Sequence, residues 1–263
     1  MNLKGGIALI KKSFFSYTVT RGFFWTLALG WMMMPIIYML VWVVAAGNGS
    51  VFGFTKNDFV VYYTVLIFVN QLTYPVSHWT VGDSIFNGTF SNWLLRPLPP
   101  IYEAIASDIA VKVICVPFTA VFTLGMVIIF GIQISLTAIN SLLFIVCLLL
   151  AQILRFMLAY TLSLLALFTN KIHSFLSIND ILIFLFAGQV IPTMLLPGII
   201  RNISFVLPYR YMLGFPIEIL LGKLSDTQVA FGMSIQLIWI LIVLMLNLII
   251  WKKGIRHYSS IGG

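Results

Sequence analysis

Long apolar segments alternate with short polar turns along most of the chain. The pattern predicts six membrane-spanning helices, at about residues 23–46, 59–79, 102–130, 138–168, 174–191 and 228–250. Each segment is close to, or longer than, the roughly 20 apolar residues that cross a bilayer as a helix. The predicted fold class is therefore an all-α integral membrane protein that forms a single transmembrane domain over residues 1–263.

Two further stretches are apolar but do not match a membrane-spanning helix. Residues 3–21 place apolar side chains on one helical stripe with lysines around it, which indicates a helix lying on an anionic membrane surface. Residues 192–225 are too apolar for an ordinary loop, yet prolines prevent one continuous helix. These prolines are Pro192, Pro197, Pro208 and Pro216. We expect short re-entrant helices there, which are covered by protein or line a water-filled cavity.

The composition supports the membrane assignment. Hydrophobic residues make up 61% of the chain and charged residues 8%, whereas a soluble domain carries roughly 25% charged residues. The mean hydropathy is +1.07. The net charge of +8 is dispersed between apolar segments, so it does not form the basic patch that binds nucleic acid.

The distribution of basic residues predicts the orientation in the membrane. With six spans, the side that holds both termini carries Lys4, Lys11, Lys12, Arg21, Arg96, Lys171, Lys252, Lys253 and Arg256. The opposite side carries Lys56, Arg201, Arg210 and Lys223. Because Lys and Arg are enriched in cytoplasmic loops, both termini are predicted to be cytoplasmic and residues 192–225 external.

Several kinds of catalytic or cofactor site are not indicated. The Gly222-Lys223 pair lacks a glycine five positions earlier, where Ile217 stands, so the chain has no phosphate-binding loop for ATP. Cys115 and Cys147 lie in apolar spans, and the three histidines have no metal-ligand spacing. We therefore expect no catalytic residue, metal or cofactor in this chain.

Four charged residues are predicted to lie inside the membrane: Asp108, Lys112, Arg155 and Asp180. The spacing of Asp108 and Lys112 favours an ion pair along one helix. Arg155 is expected to find an acid, either Asp180 or Asp108, or backbone carbonyl groups. A pair that fixes helix packing and a contact with substrate both remain open. Such charges also allow an alternative function, an ion-coupled secondary transporter.

Residues 82–100 form the longest stretch between two spans on the predicted cytoplasmic side. They predict a short amphipathic helix that ends at Pro97, Pro99 and Pro100. Gly88 through Leu98, which ends Leu-Leu-Arg-Pro-Leu, resembles the first intracellular loop of bacterial type-2 ATP-binding-cassette (ABC-2) exporter permeases. The second half of the chain is similar to the same family. The residues that carry this similarity are Gly188, Pro192, Pro197, Leu207, Pro208, Pro216, Gly222, Gln236, Trp239, Gly262 and Gly263.

The resemblance implies a six-helix permease subunit whose residues 82–100 couple it to a separate cytoplasmic ATPase dimer. The implied coupling residues are Asp83, Phe86, Phe90, Trp93, Leu94, Leu95, Arg96 and Pro97. The implied external cap comprises Pro192, Pro197, Pro208, Tyr209 and Pro216. The loop at residues 169–173 is short for the family, so a second coupling contact through Lys171 is not expected.

The family also implies the setting in which the chain works. The implied location is the bacterial inner membrane, with a second permease chain as partner, either identical or different, and with lipid around both. ATP and Mg²⁺ would bind to the ATPase. The implied cargo is hydrophobic or amphipathic and moves out of the cytoplasm or the inner leaflet. A membrane assembly factor without transport activity is a further reading, because the sequence shows no recognisable substrate site.

Overall fold

The computed structural model describes residues 3–19, 21–132, 137–256 and 258. Gly262 and Gly263, and residues 133–136 of the turn expected after the third span, lie outside this range. The first half contains α1 (Leu3–Val19), α2 (Arg21–Trp25), a π-helical turn (Thr26–Gly30), α3 (Trp31–Ala46), β1 (Ser50–Val51), β2 (Phe54–Thr55), α4 (Lys56–Thr73), α5 (Ser77–Phe86), α6 (Ser91–Leu94) and α7 (Ile101–Phe130). The second half contains α8 (Ala138–Ser163), a 3₁₀ turn (Leu164–Leu167), α9 (Ile172–Phe186), a 3₁₀ turn (Thr193–Leu195), α10 (Gly198–Val206), a 3₁₀ turn (Arg210–Met212), α11 (Gly214–Leu220) and α12 (Asp226–Gly254).

The fold is an all-α membrane fold with one two-stranded hairpin. Four helical stretches in the described residues are long and apolar enough to cross a membrane: Lys56–Phe86, Ile101–Phe130, Ala138–Leu167 and Asp226–Gly254. The apolar helices α3 and α9 are shorter than these. The chain is therefore a multi-pass membrane protein.

Helix α4 lies at the centre of the bundle. In the apolar 18-residue segment of Lys56–Phe86, 72% of the residues are buried inside the protein. In the corresponding segment of Asp226–Gly254, 17% are buried. Helix α4 packs against α3, α7, α8 and α11, while α12 packs mainly on α8. Its start is fixed by a capping box in which Thr55 accepts from the Asp58 backbone and Asp58 accepts from the Thr55 backbone.

The second predicted span, residues 59–79, lies within the membrane-length stretch Lys56–Phe86, but its helix is not continuous because Pro75 interrupts it. Tyr74 has an extended conformation (ψ 122°), as expected for a residue that precedes proline. The freed backbone groups find partners: the Val76 N–H donates to Asp108 Oδ1 at 3.0 Å, and the Pro75 carbonyl pairs with His78 Nδ1 at 2.7 Å. The chain then resumes as α5 and continues to Phe86.

The non-helical chain that follows α9 is held by side chains of the bundle. The Tyr62 hydroxyl donates to the Gly188 carbonyl at 2.9 Å. The Tyr63 hydroxyl and the Trp42 indole both donate to the Val190 carbonyl, each at 2.6 Å. Short helices and 3₁₀ turns then follow from residue 193 to residue 220. The four prolines thus coincide with a region of broken helix, as their spacing indicates.

Close packing of α12 on α11 gives a direct test of this arrangement. A Cβ atom on Gly232 would lie 2.3 Å from the Phe215 ring, whereas one on Gly125 would meet nothing within 4 Å. We expect Gly232→Ala to destabilise the protein by about 1–3 kcal/mol through overpacking. The measurement is the midpoint of thermal unfolding in mild detergent, followed by size-exclusion chromatography.

The matched control for this substitution is Gly125→Ala in α7. Alanine is the better helix former by up to about 1 kcal/mol, so this change is expected to be neutral or slightly stabilising. An equal unfolding midpoint for the Gly232→Ala and Gly125→Ala proteins would contradict the close contact between α12 and Phe215.

Candidate functional site

The segment between α5 and α7 lies at one end of the bundle, here called the α6 end. Its turn is possible because Gly88 adopts a left-handed conformation (φ +74°). Phe90 is fully buried and packs edge-on against Tyr258, with ring centroids 5.6 Å apart. The Tyr258 hydroxyl also donates to the Gly88 carbonyl at 3.1 Å. Phe90 therefore anchors the turn from within the protein.

Other predicted coupling residues do reach the surface of the α6 end. The Leu95 side chain is 86% exposed and Phe86 is 42% exposed. Pro97 is also exposed, whereas Trp93 and Leu94 are half-buried against the core. The exposed side chains of Leu95, Phe86 and Pro97 are apolar groups that a soluble partner can cover.

Arg96 forms part of a three-residue ionic cluster. Its guanidinium pairs with the Glu103 carboxylate at the start of α7. Lys12 of α1 donates to the same carboxylate at 3.3 Å. Partial burial, and then the nearby Arg96 charge, lower the pKa of Lys12. The cluster ties the coupling segment to α1 and α7, a link that sequence reasoning missed because Lys12 and Glu103 are 91 residues apart.

Asp83 faces α9 from the end of α5. Its carboxylate lies 3.5 Å from His173 Nε2, and the His173 ring stacks on Trp79 with centroids 5.7 Å apart. The predicted coupling residues are thus brought together at one end of the bundle, with different degrees of burial.

Asp108 and Lys112 form the predicted ion pair. The Asp108 carboxylate also accepts from Gln152 Nε2 at 3.1 Å and, as described above, from the Val76 backbone. Asp108 is buried. Its carboxylate thus holds α5, α7 and α8 together at the break in the central helix.

Arg155 does not pair with either acid that the sequence suggested. Its Nη1 donates to Asn70 Oδ1 at 2.8 Å and to Thr73 Oγ1 at 2.9 Å. Among the described residues, neither Asp180 nor Asp108 forms an ion pair with it. The side chain is only 2% exposed, so neutral oxygens at the end of α4 replace water around the cation.

A cleft of about 420 Å³ opens beside Arg155 and Asp180. Aromatic rings form much of its wall. They belong to Trp31, Tyr38, Tyr74, Trp79 and Phe184. Five of the described helices contribute, namely α3, α4, α5, α8 and α9, together with the Tyr74 break. The cleft therefore combines aromatic faces with two charged residues at membrane depth.

The opposite end of the bundle, here called the cap end, contains a buried ion pair that sequence reasoning missed. Arg210 pairs with Glu218, which also accepts from Thr193. The guanidinium lies 3.9 Å from the centroid of the Phe205 ring. The charge distribution in the sequence places Arg210 among the basic residues of the external side, without indicating a partner. The available signal was the acid eight residues away in an otherwise apolar, proline-rich segment.

The predicted cap residues are distributed along this end. Pro192 precedes the first 3₁₀ turn, and Pro197 precedes α10 and is exposed. Pro208 and Tyr209 are buried before the next 3₁₀ turn, and Pro216 lies inside α11. These residues and the Arg210–Glu218 pair thus belong to one region of short helices and turns between α9 and α12.

Comparison with known families identifies the class of protein. A family model described as "ABC-2 family transporter protein" matches residues 31–262. A comparison with curated proteins finds no match. The matched range contains the coupling segment, the aromatic cleft and the cap, which confirms the resemblance seen in the sequence. The chain belongs to the ABC-2 transporter family and is therefore a membrane subunit of an ATP-binding-cassette transporter.

Proposed function

We propose that the chain is the permease subunit of an ATP-driven exporter, located in a bacterial inner membrane with both termini in the cytoplasm. A separate cytoplasmic ATPase dimer binds ATP and Mg²⁺ and drives transport. A second permease chain, identical or different, completes the pathway. The observation that carries this proposal is the family match over residues 31–262, combined with an exposed apolar surface at the α6 end.

The proposal places six spans in the membrane. Residues 21–46 are helical throughout, because α2, the π-helical turn and α3 follow one another without a gap. Helix α9 rises only about 22 Å at 1.5 Å per residue, which is less than the hydrocarbon core. The side chains of Trp42, Tyr62 and Tyr63 pair the carbonyl groups beyond it, so the chain can complete the crossing without a helix.

The α6 end is suited to transmit motion from the ATPase. Leu95 and Phe86 offer the apolar contact surface, while Phe90 is locked against α12 and the C-terminal Tyr258. The Arg96–Glu103 pair extends this connection to α7. A movement imposed on the segment would therefore tilt α5, α7 and α12 as connected parts.

The contacts of Asp108 do not favour the alternative, ion-coupled transport. A proton relay needs a carboxylate that exchanges protons with water, whereas Asp108 is buried and accepts from Lys112, Gln152 and the Val76 backbone. Its role is to satisfy backbone freed by Pro75. Asp180 is more exposed, and the gradient test below decides whether it carries protons. The apolar lining of the bundle favours a hydrophobic or amphipathic cargo.

The test of function is purification of the chain from its native membrane and reconstitution into liposomes. We expect a stoichiometric ATPase to co-purify, and transport that needs ATP hydrolysis and continues without an ion gradient. Transport that depends on a proton or sodium gradient, with no ATPase bound, would contradict the proposal.

Leu95→Asp tests the docking surface. Because the side chain is 86% exposed, the substitution should leave the fold intact, yet it places a charge in the proposed contact. We expect binding of the ATPase to weaken about tenfold or more, as for an apolar anchor of an interface. Microscale thermophoresis of the two purified components measures this affinity.

The control for the docking test is Phe52→Asp in the hairpin at the cap end. Phe52 is 75% exposed and lies away from the α6 end, so ATPase affinity should be unchanged. Equal affinity for the wild-type and Leu95→Asp chains would show that docking uses another surface.

Arg96→Glu tests the ionic cluster. The new carboxylate would face Glu103 and repel it, so the segment should move independently of α7. We expect less substrate transported per ATP hydrolysed, with ATPase activity retained. The double variant Arg96→Glu/Glu103→Arg restores an opposite-charge pair and should recover most of the coupling. Wild-type coupling in the single variant would refute this role for the pair.

A further inference from the structure

The two charged residues of the aromatic cleft, Arg155 and Asp180, differ in how accessible they are to a ligand. Arg155 is almost fully buried, and its Nη1 is already bonded to Asn70 and Thr73. The Asp180 side chain is 42% exposed, and its nearest cationic candidate, His78 Nε2, is 3.7 Å away. The accessible charge in the cleft is therefore the carboxylate, which at this depth favours a cationic partner.

A second, independent feature of the cleft is a group of buried polar atoms without partners at its inner end. A cavity of about 10 Å³ adjoins it behind Asp180 and is bordered by His78 and Asn179. His78 Nε2 and Asn179 Oδ1 are buried there without a hydrogen-bond partner. His78 Nδ1 donates to the Pro75 carbonyl and is therefore already occupied. Arg155 Nε also lies unpaired beside this cavity and adds positive charge, so the sign of the preferred ligand is testable.

Aromatic rings supply the remainder of a cation site. Trp31 packs on Tyr74 with ring centroids 4.2 Å apart, and the Arg155 guanidinium lies 5.3 Å from the Tyr74 centroid, so the Tyr74 ring is already engaged. Tyr38 meets Phe184 at 5.8 Å, and Trp31, Tyr38 and Trp79 all line the cleft. Tryptophan and tyrosine faces attract cations, and the attraction grows where water is excluded. Asp180 lies eight residues into α9, roughly 12 Å along the helix from the α6 end at 1.5 Å per residue. A ligand in the leaflet at that end could therefore reach it.

We propose that this cleft binds an organic cation with an apolar body, with the Asp180 carboxylate as counter-ion and the aromatic rings of the cleft wall against the apolar body. The role of the bound cation as transport substrate rests on the proposed export function. The binding itself does not, because it requires only this chain.

The experiment compares two probes of the same shape and opposite charge, tetraphenylphosphonium and tetraphenylborate. Each is titrated in radiolabelled form onto the purified chain in lipid nanodiscs, and binding to empty nanodiscs is subtracted. We expect saturable binding of the phosphonium and none of the borate. Asp180→Asn should weaken phosphonium binding about tenfold or more, as loss of a charge partner implies.

Two further variants separate recognition from folding. Asp180→Glu keeps the charge and should retain most of the phosphonium affinity. Asp226→Asn makes the same chemical change in the first turn of α12, outside the cleft, and should have no effect. All variants are checked for a single monodisperse peak before titration.

Three results would overturn the assignment. Tighter binding of the borate would mean that Arg155 selects anions. Unchanged affinity in Asp180→Asn would place the cation elsewhere. Absence of saturable phosphonium binding in folded protein would exclude the site. The same result is expected if a second copy of the chain covers the cleft, and it would equally overturn the assignment.

A transport assay with the reconstituted complex distinguishes failure of the cation site from failure of the proposed export function. Saturable, Asp180-dependent binding without ATP-driven movement of the phosphonium by the reconstituted complex supports the cleft and contradicts its use in export. ATP-driven export of the phosphonium that persists in Asp180→Asn supports the exporter and overturns the cleft.

Discussion

Backbone groups that leave a helix inside a membrane must find partners within the protein, and this constraint shapes both the cap end and the centre of the bundle. At the cap end, Tyr62, Tyr63 and Trp42 donate to the carbonyl groups of Gly188 and Val190. Without these donors the proline-rich segment could not lie against the spans. The chain that leads from α9 into the short helices is thus held by three side chains from α3 and α4.

The same constraint explains the use of charge at the centre of the bundle. Pro75 frees the Val76 N–H, and Asp108 accepts it while remaining paired with Lys112. Arg155 likewise donates hydrogen bonds from Nη1 to Asn70 and Thr73 at the end of α4. Most intramembrane charge therefore stabilises a broken helix, and Asp180 alone among the four predicted charges presents an accessible carboxylate to the aromatic cleft.

The break also connects the cleft to the coupling segment. Helix α5 begins immediately after Pro75 and runs to Phe86 at the α6 end, so one short rigid element joins the two regions. At that end the ring of Phe90 and the Arg96–Glu103 pair tie the segment to α12 and α7. Under the proposed function, motion at the ATPase surface would reach the cleft through α5 without unfolding any span.

The sequence by itself determined the membrane class, the family, and the main elements, because apolar run length and proline spacing are local properties of the chain. It also indicated the Asp108–Lys112 pair, whose members lie four residues apart on one helix. Only the tertiary structure decided the partners of Arg155, the Lys12–Glu103–Arg96 cluster and the buried Arg210–Glu218 pair. These contacts depend on which helices meet and at what height, and burial in a membrane protein follows from that packing since lipid-facing and core-facing residues are equally apolar.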